Sequence, residues 1–288
     1  MTTPTLVYEV VDVFTDAAFA GNPLAVVLDA DDLSTAQLQT LAAEFNLSET
    51  AFVLQPDDGA DYRLRIFTPR TELPFAGSPS VGSAWLLGRL GRLAPGWRVQ
   101  SCGAGLLAVE VAEDGGPVTL SGGLPSYGEE LDPAPLLAAV GLPADQLVGV
   151  APRACGAGID WSYLLVHPDA LARLSPESSL LARIPTTGVA VVAWEDGRAR
   201  ARCFVGGAAG TFEDPATGSA AVGLGVFLAG SGLQGDGSHD YVVTQGVEMG
   251  RPSTLSCTVD VEGGLAVRTT VTGSVVQVAR GEVRVPRR

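Results

Sequence analysis

The chain has 288 residues with 46% hydrophobic and 17% charged side chains, a composition that excludes a disordered or fibrous protein. Its net charge of −14 argues against nucleic acid and anionic membrane surfaces as partners, because both bind clustered positive charge. All 18 basic residues are arginine, and without lysine there is no Schiff base, no pyridoxal phosphate linkage and no P-loop.

In chain order, residues 6–14 are short, β-branched and aromatic and predict a strand. Gly21-Asn22-Pro23 predicts a turn, and 24–28 a second strand paired with the first. Ser34 is expected to cap a helix over 35–45 whose Leu38, Leu41, Ala42 and Phe45 share one face. Glu49 follows, directly ahead of the apolar strand 51–54. A carboxylate entering a buried strand must be paired, solvated or used, since burying it bare is costly. The local pattern leaves open whether Glu49 is solvated at a strand mouth or is a working acid.

Residues 62–67 alternate as a half-exposed strand, 80–90 are apolar almost all round and predict a buried helix, and 99–111 and 118–120 supply further strands. The stretch 123–135 is rich in Pro and Gly without a period and is expected to link two domains, 1–125 and 126–288. The second half predicts a helix near 133–140, strands near 161–166, 189–194 and 199–205, an apolar helix over 216–229, and strands from 241 to 285. Cys102, Cys155, Cys203 and Cys257 are widely spaced, with no C-x-x-C pair, and are expected to be reduced small hydrophobes rather than metal ligands. His167 and His239 sit in loop-like surroundings outside any motif and are expected at the surface. No apolar run reaches the ~20 residues of a membrane span, and residues 1–10 lack a basic region followed by an apolar one, so a cytoplasmic protein is expected.

Two stretches organise the rest. Residues 72–91 and 213–232, aligned at an offset of 141, share Glu, Pro, Gly, Ser, Val, Gly, Leu and Gly at eight of twenty positions. A repeat of that length implies two similar halves, each a strand-rich shell around one apolar helix. A Gly-Ser pair at a helix start turns uncapped N–H groups and the positive end of the helix dipole outward, which makes an anion site. Related by a pseudo-twofold, the two starts could face each other and hold a small carboxylate on the N–H groups of Gly77, Ser78, Gly218 and Ser219 and on the serine hydroxyls. The acids near them are Glu72, Glu213 and Asp214, with Glu49 from the preceding strand, and a desolvated carboxylate is a usable base for carbon acids. With no lysine and no metal or nucleotide motif, proton transfer or hydrolysis is the chemistry left. The competing reading makes Asp214-Pro215 no more than a well-capped helix start.

These residues resemble the PhzF family, the phenazine-biosynthesis-like isomerases. The resemblance runs through Val11-Asp12-Val13-Phe14-Thr15-Asp16, Gly21-Asn22-Pro23-Leu24-Ala25-Val26, Phe45-Asn46-Leu47-Ser48-Glu49-Thr50, Ile66-Phe67-Thr68-Pro69, Glu72-Leu73-Pro74-Phe75-Ala76-Gly77, Glu213-Asp214-Pro215-Ala216-Thr217-Gly218-Ser219, Gln245-Gly246 and Met249-Gly250-Arg251-Pro252-Ser253. It implies an α+β protein of two pseudo-symmetric domains, each a β-barrel-like sheet wrapped round a central helix in the diaminopimelate-epimerase manner. It also implies a homodimer, no cofactor and no metal, and a small-molecule carboxylate as substrate. The family pattern puts the acid/base glutamate at Glu49, a cleft aspartate at Asp214 and substrate contacts at Gly77, Gly218 and Ser219. Related epimerases and proline racemases carry cysteines where this chain has Ala76 and Thr217, so a two-thiol racemase is excluded. Where the family usually has Gly-His-Pro, this chain has Gly77-Ser78-Pro79. Histidine carries a proton near neutral pH and serine does not, so the proton relay is simpler, the substrate differs or catalysis is lost. The expected activity, placed in secondary metabolism by the resemblance, is a cofactor-independent isomerase moving a proton on a small cyclic or unsaturated amino acid or carboxylate. Glu49, Asp214 and Ser78 are its catalytic residues. A two-base epimerase and a catalytically silent carboxylate-binding protein are the alternatives.

Overall fold

The computed structural model describes residues 4–207 and 211–287, so the first three residues of the N-terminal stretch lie outside it. The chain forms two units: one runs up to Leu120 and resumes at Thr272, and the other is Ser121–Val271. The first contains β1 (Thr5–Val13), β2 (Asn22–Val27), α1 (Thr35–Phe45), β3 (Glu49–Leu54), β4 (Tyr62–Phe67), β5 (Glu72–Leu73), α2 (Gly77–Arg89), β6 (Gly96–Cys102), β7 (Gly105–Val111) and β8 (Val118–Ser121). The second contains β9 (Pro125–Glu130), α3 (Pro133–Val140), β10 (Arg153–Ala157), β11 (Asp160–Leu165), α4 (Ser178–Leu181), β12 (Gly188–Glu195), β13 (Arg198–Val205), β14 (Phe212–Asp214), α5 (Gly218–Gly230), β15 (Gly237–Gln245), β16 (Ser253–Glu262) and β17 (Leu265–Gly273). Strand β18 (Val275–Arg284) returns to the first unit.

The two units repeat one pattern of strand pairing. In the first, β1–β2 is antiparallel, β2–β3 parallel, β3–β4 and β4–β5 antiparallel, β4–β6 parallel and β6–β7 antiparallel. In the second, β10–β11, β11–β12, β12–β13, β13–β14, β13–β15 and β15–β16 follow the same order of senses. The last strand of each repeat is exchanged: β9 pairs antiparallel with β10, and β18 pairs antiparallel with β1.

That exchange corrects the expected domain division. Residues 125–130 are not a linker but the strand on which β10 pairs, and the chain changes unit at 120/121 and again at 271/272. The Pro and Gly content misled because this strand carries Pro125 and Gly128; a Cβ at Gly128 would come within 2.7 Å of the Ala154 carbonyl oxygen. The C-terminal strand therefore belongs with the first half and not with 126–271.

Local chemistry sets the helices. Ser34 accepts from the Gln37 amide while Gln37 Oε1 accepts from the Ser34 amide, a capping box that starts α1 at the expected residue. Leu38, Leu41 and Ala42 pack on Val27, Phe52 and Phe67, with Phe45 half-buried against Tyr8. In the second unit α3 sets Leu136, Leu137 and Val140 on Leu164, Val191 and Phe204. Helices α2 and α5 are the central ones: Gly77 to Leu87 and Gly218 to Ala229 are buried without interruption. Helix α2 touches β1, β2, β3, β7 and β18, and α5 touches β9, β10, β11 and β16, so strands from both ends of each unit's strand order close round a helix. This is the expected α+β architecture.

Both central helices start at the residues the repeat aligns, Gly77 and Gly218. Pro79 lies inside α2 rather than ahead of it, at its third residue, where no intrahelical N–H is required. The turn expected at 21–23 falls earlier, with the Phe19 amide held by Asp12 Oδ2 at 2.6 Å and β2 starting at Asn22.

Candidate functional site

In the first unit β2 gathers the expected residues. Its first residue, Asn22, is wholly buried and donates from Nδ2 to Ser78 Oγ at 3.1 Å. Its third, Leu24, stands opposite Glu49 in the parallel ladder with β3. Register on one side and a hydrogen bond on the other thus bring Glu49 and Ser78 to the same end of the sheet. Glu49 is 8% exposed, so it is not a solvated residue at a strand mouth. Strand β3 begins at the glutamate itself because pairing with β2 already starts there. Gly77 and Ser78 are the first two residues of α2, whose cap position, Ala76, offers no side-chain acceptor.

In the second unit Gly218 and Ser219 hold the same two places in α5, again with no side-chain cap from Thr217. Ser219 Oγ accepts from the indole N–H of Trp161 at 3.1 Å, as Ser78 accepts from Asn22. The hydroxyls of Tyr163 and Tyr241 each donate at 2.7 Å to a first-turn carbonyl, those of Ala220 and Ala221. Burial holds both phenols well above their usual range, so they remain protonated donors. Asp214 ends β14 and is 4% exposed, with its Oδ2 accepting from the Thr217 hydroxyl. The carboxylate accepts from a side-chain hydroxyl, and the helix starts only at Gly218, with Pro215 three residues ahead of it. The reading of Asp214-Pro215 as a simple helix cap does not hold.

The other two acids of the repeat are structural. Arg65 Nε and Nη2 grip Glu72 at 2.7 Å each, and Arg202 Nε and Nη2 grip Glu213 at 2.8 Å each. Each guanidinium lies 5.2 Å from the centroid of the phenyl ring two residues on, Phe67 or Phe204. The shared Glu of the two motifs fixes the turn leading into the helix.

Strand register identifies which positions the halves share. Ile66 faces Leu73 where Cys203 faces Asp214. Arg63 faces Ser101 where Arg200 faces Thr244, so the next residues, Cys102 and Gln245, correspond. Thr50 faces Phe67 where Val189 faces Phe204, so the residues just ahead of them, Glu49 and Gly188, correspond. Glu49 and Asp214, the two buried acids singled out from the sequence, thus stand at non-equivalent places of their units.

Sequence reasoning did not single out Asn22, Trp161 or the amide of Gln245. Their signal is tertiary: a donor pointing at a serine far along the chain leaves no local pattern. All four cysteines are free and Cys155, Cys203 and Cys257 are buried, with Cys102 half-buried. His167 is exposed; His239 is not in a loop but in β15, half-buried, its Nε2 2.7 Å from the Gly235 carbonyl oxygen. Among the described residues no group of three or more His, Cys, Asp or Glu could hold a metal ion, and no helix is long and apolar enough to cross a membrane.

The family model for phenazine biosynthesis-like proteins (PhzC-PhzF) matches residues 11–281. A trans-2,3-dihydro-3-hydroxyanthranilate isomerase of Pseudomonas fluorescens is 35% identical, with 96% of this chain and 98% of that one covered. Among solved structures, a PhzF-family phenazine biosynthesis protein of Bacillus anthracis superposes with a TM-score of 0.86 at 26% identity, over 97% of this chain and 99% of that one. A predicted epimerase of Pseudomonas aeruginosa gives 0.82 at 30% identity, over 96% and 99%. The chain belongs to the phenazine biosynthesis-like (PhzC-PhzF) family, and its kinship is to isomerases.

Proposed function

We propose that the protein is a cofactor-independent isomerase that moves a proton between two carbons of a small cyclic or unsaturated amino acid or carboxylate. The observation that carries this reading is Glu49, a carboxylate buried at the first residue of β3, at the end of the sheet where Ser78 opens the central helix. In the reaction Glu49 takes a proton from one carbon, the released electron pair shifts the neighbouring double bond, and Glu49 returns the proton to the far carbon. Asp214 orients the substrate. Gly77, Gly218 and Ser219 bind the substrate through N–H groups at the positive end of their own helix, and Ser78 binds it through its hydroxyl. Ser78 stands where the family pattern has histidine; in this reading it binds and does not carry the proton.

The unequal placement of the two carboxylates favours one proton carrier over a symmetric two-base epimerase, since Glu49 corresponds to Gly188 and Asp214 to Leu73. Family resemblance supports a homodimer and a place in secondary metabolism. Incubation in deuterated water with trans-2,3-dihydro-3-hydroxyanthranilate, the compound in the Pseudomonas relative's name, and with simpler unsaturated amino acids tests the reading. Ring-carbon deuterium with a shifted double bond is the expected product. Exchange at the α-carbon with inversion would assign an epimerase, and binding without exchange a silent binder. Glu49→Gln is expected to abolish exchange with binding nearly intact, and turnover retained in that variant removes Glu49 from its role.

A further inference from the structure

Asp214 stands at the end of a one-way chain of buried donors. Gln245, 1% exposed at the end of β15, donates from Nε2 to the Asp214 carbonyl oxygen at 2.6 Å and to Thr217 Oγ1 at 2.9 Å. Its Oε1 accepts from the Thr217 amide at 3.1 Å, and because a backbone N–H can only donate, this contact fixes which way the carboxamide faces. The carboxamide nitrogen in turn can only donate, so the Thr217 hydroxyl oxygen accepts from it. The one hydroxyl proton is then left for Asp214 Oδ2, 2.6 Å away.

The repeat shows what this chain of bonds is for. At the corresponding places in the first unit stand Leu73 for Asp214, Ala76 for Thr217 and Cys102 for Gln245. The three members are present together in one half and absent together in the other. Helix α2 begins with the same Gly-Ser pair and has none of them, so a central helix of this fold starts without the relay. What the second unit has and the first lacks is the carboxylate the relay ends on.

We propose that Gln245 and Thr217 are positioning residues that commit Asp214 to act as a hydrogen-bonded anion, an acceptor for an amino or hydroxyl group on the substrate and not a carrier of the migrating proton. The inference rests on the assignment of Asp214 to the site and narrows the substrate to a carboxylate that also bears an N–H or O–H donor. A donor to the charged form of an acid favours that form, which suits orientation and opposes proton shuttling. Two neighbours of Asp214 are held in other states, although the Cys203 thiol also bonds to Thr217. Cys203, its partner in the β13–β14 ladder, has its thiol pushed up by burial and stays neutral, and the Glu213 carboxylate is gripped by Arg202.

Thr217→Val keeps the shape and removes the hydroxyl; Thr217→Ser keeps the hydroxyl. With aspartate carboxyl carbons labelled with ¹³C and the Asp214 signal assigned through Asp214→Asn, Asp214 is expected to titrate at higher pH in the valine variant than in the wild type and to return in the serine variant. Gln245→Met, which removes the donor one step upstream, is expected to move it less in the same direction. For an active wild type, kcat falls roughly 10- to 100-fold in Thr217→Val, recovers in Thr217→Ser, and the acid limb of the pH profile moves upward in valine alone. An Asp214 titration unchanged in both Thr217→Val and Gln245→Met overturns the relay, whatever the activity. A wild type that exchanges no proton on any carboxylate overturns the isomerase reading, and the titration still decides the relay.

Discussion

Gly223→Ala tests the seating of α5, the helix whose first residues are assigned to the substrate. A Cβ at Gly223 would lie 2.4 Å from the Tyr163 hydroxyl, 3.3 Å from Gly156 Cα and 3.4 Å from the Cys155 carbonyl oxygen. Tyr163 has little room to yield, being wholly buried, stacked on Phe227 with ring centroids 5.3 Å apart, and tied to the Ala220 carbonyl. Alanine for glycine in a helix interior favours folding by about 1 kcal/mol. Against it stand roughly 1–3 kcal/mol for the crowded methyl and about 1 kcal/mol for the disturbed buried hydrogen bond. The balance is a loss of about 1–3 kcal/mol. Tyr163→Phe alone costs about 1 kcal/mol for its lost hydrogen bond, but it removes the atom the methyl strikes. The double variant should therefore be more stable than the two losses together by about 1–2 kcal/mol. Urea unfolding of the four proteins at constant m measures the cycle. A Gly223→Ala protein as stable as the wild type, or a cycle that is strictly additive, refutes the close approach of α5 to Tyr163.

Two further outcomes follow from buried ionisable groups. Burial pushes the Cys155 thiol up to about 12, and those of Cys203 and Cys257 well above the ordinary thiol range. The folded state then holds protons that the unfolded chain releases above about pH 8.5–9, so stability is full below that pH and falls as pH rises toward the folded values, by up to about 1.4 kcal/mol per unit for each thiol. The buried phenols of Tyr62, Tyr163 and Tyr241, also pushed up, join above about pH 10. Urea midpoints that stay level from pH 8 to 11 would contradict this. In the second case, Glu213→Gln is expected to cost about 2–3 kcal/mol and Glu72→Gln under about 1 kcal/mol. The Arg202–Glu213 pair is 10% and 17% exposed, against 18% and 39% for Arg65–Glu72. Equal thermal shifts in the two variants would show that burial does not separate them.

Much of the scaffold could be read from local pattern, and the reasons are physical. Ser34 and Gln37 sit three residues apart, so the capping box that starts α1 is a local feature, and the Leu38, Leu41, Ala42 face follows from helical spacing. The two central helices were legible because a helix buried on every side must be apolar on every side. What stayed hidden depends on the chain meeting itself far along its length. Residues 125–130 read as a linker because their strand identity comes from β10, more than twenty residues later, and not from their own propensities. The division of the chain failed for the same reason: β18 lies against β1, a pairing between the two ends of the sequence. Among the site residues, Glu49 was conspicuous as a charge entering an apolar strand. Asn22 and Trp161 were not, because nothing near them in sequence reveals the serine each one reaches.

The halves have diverged in a selective way. They keep the residues that build the turn and seat the helix: Arg65 and Arg202 on Glu72 and Glu213, and Gly103 and Gly246, where a Cβ would come within 2.8 Å of Pro74 Cα and 2.6 Å of the Pro215 carbonyl oxygen. They also keep a donor on each serine, although the donor is an amide in one and an indole in the other. They differ where a carboxylate is placed, Glu49 against Gly188 and Leu73 against Asp214, and in the Thr217–Gln245 relay that serves only the second. Symmetry thus persists in the parts suited to binding a carboxylate at helix starts, and is lost in the parts suited to handling protons. A symmetric pair of acids suits a reaction that inverts one centre, because the proton arrives from the side opposite to the one it left. A proton that moves between two carbons needs one group to carry it and another to hold the substrate still, and two unlike carboxylates at non-equivalent positions meet that need.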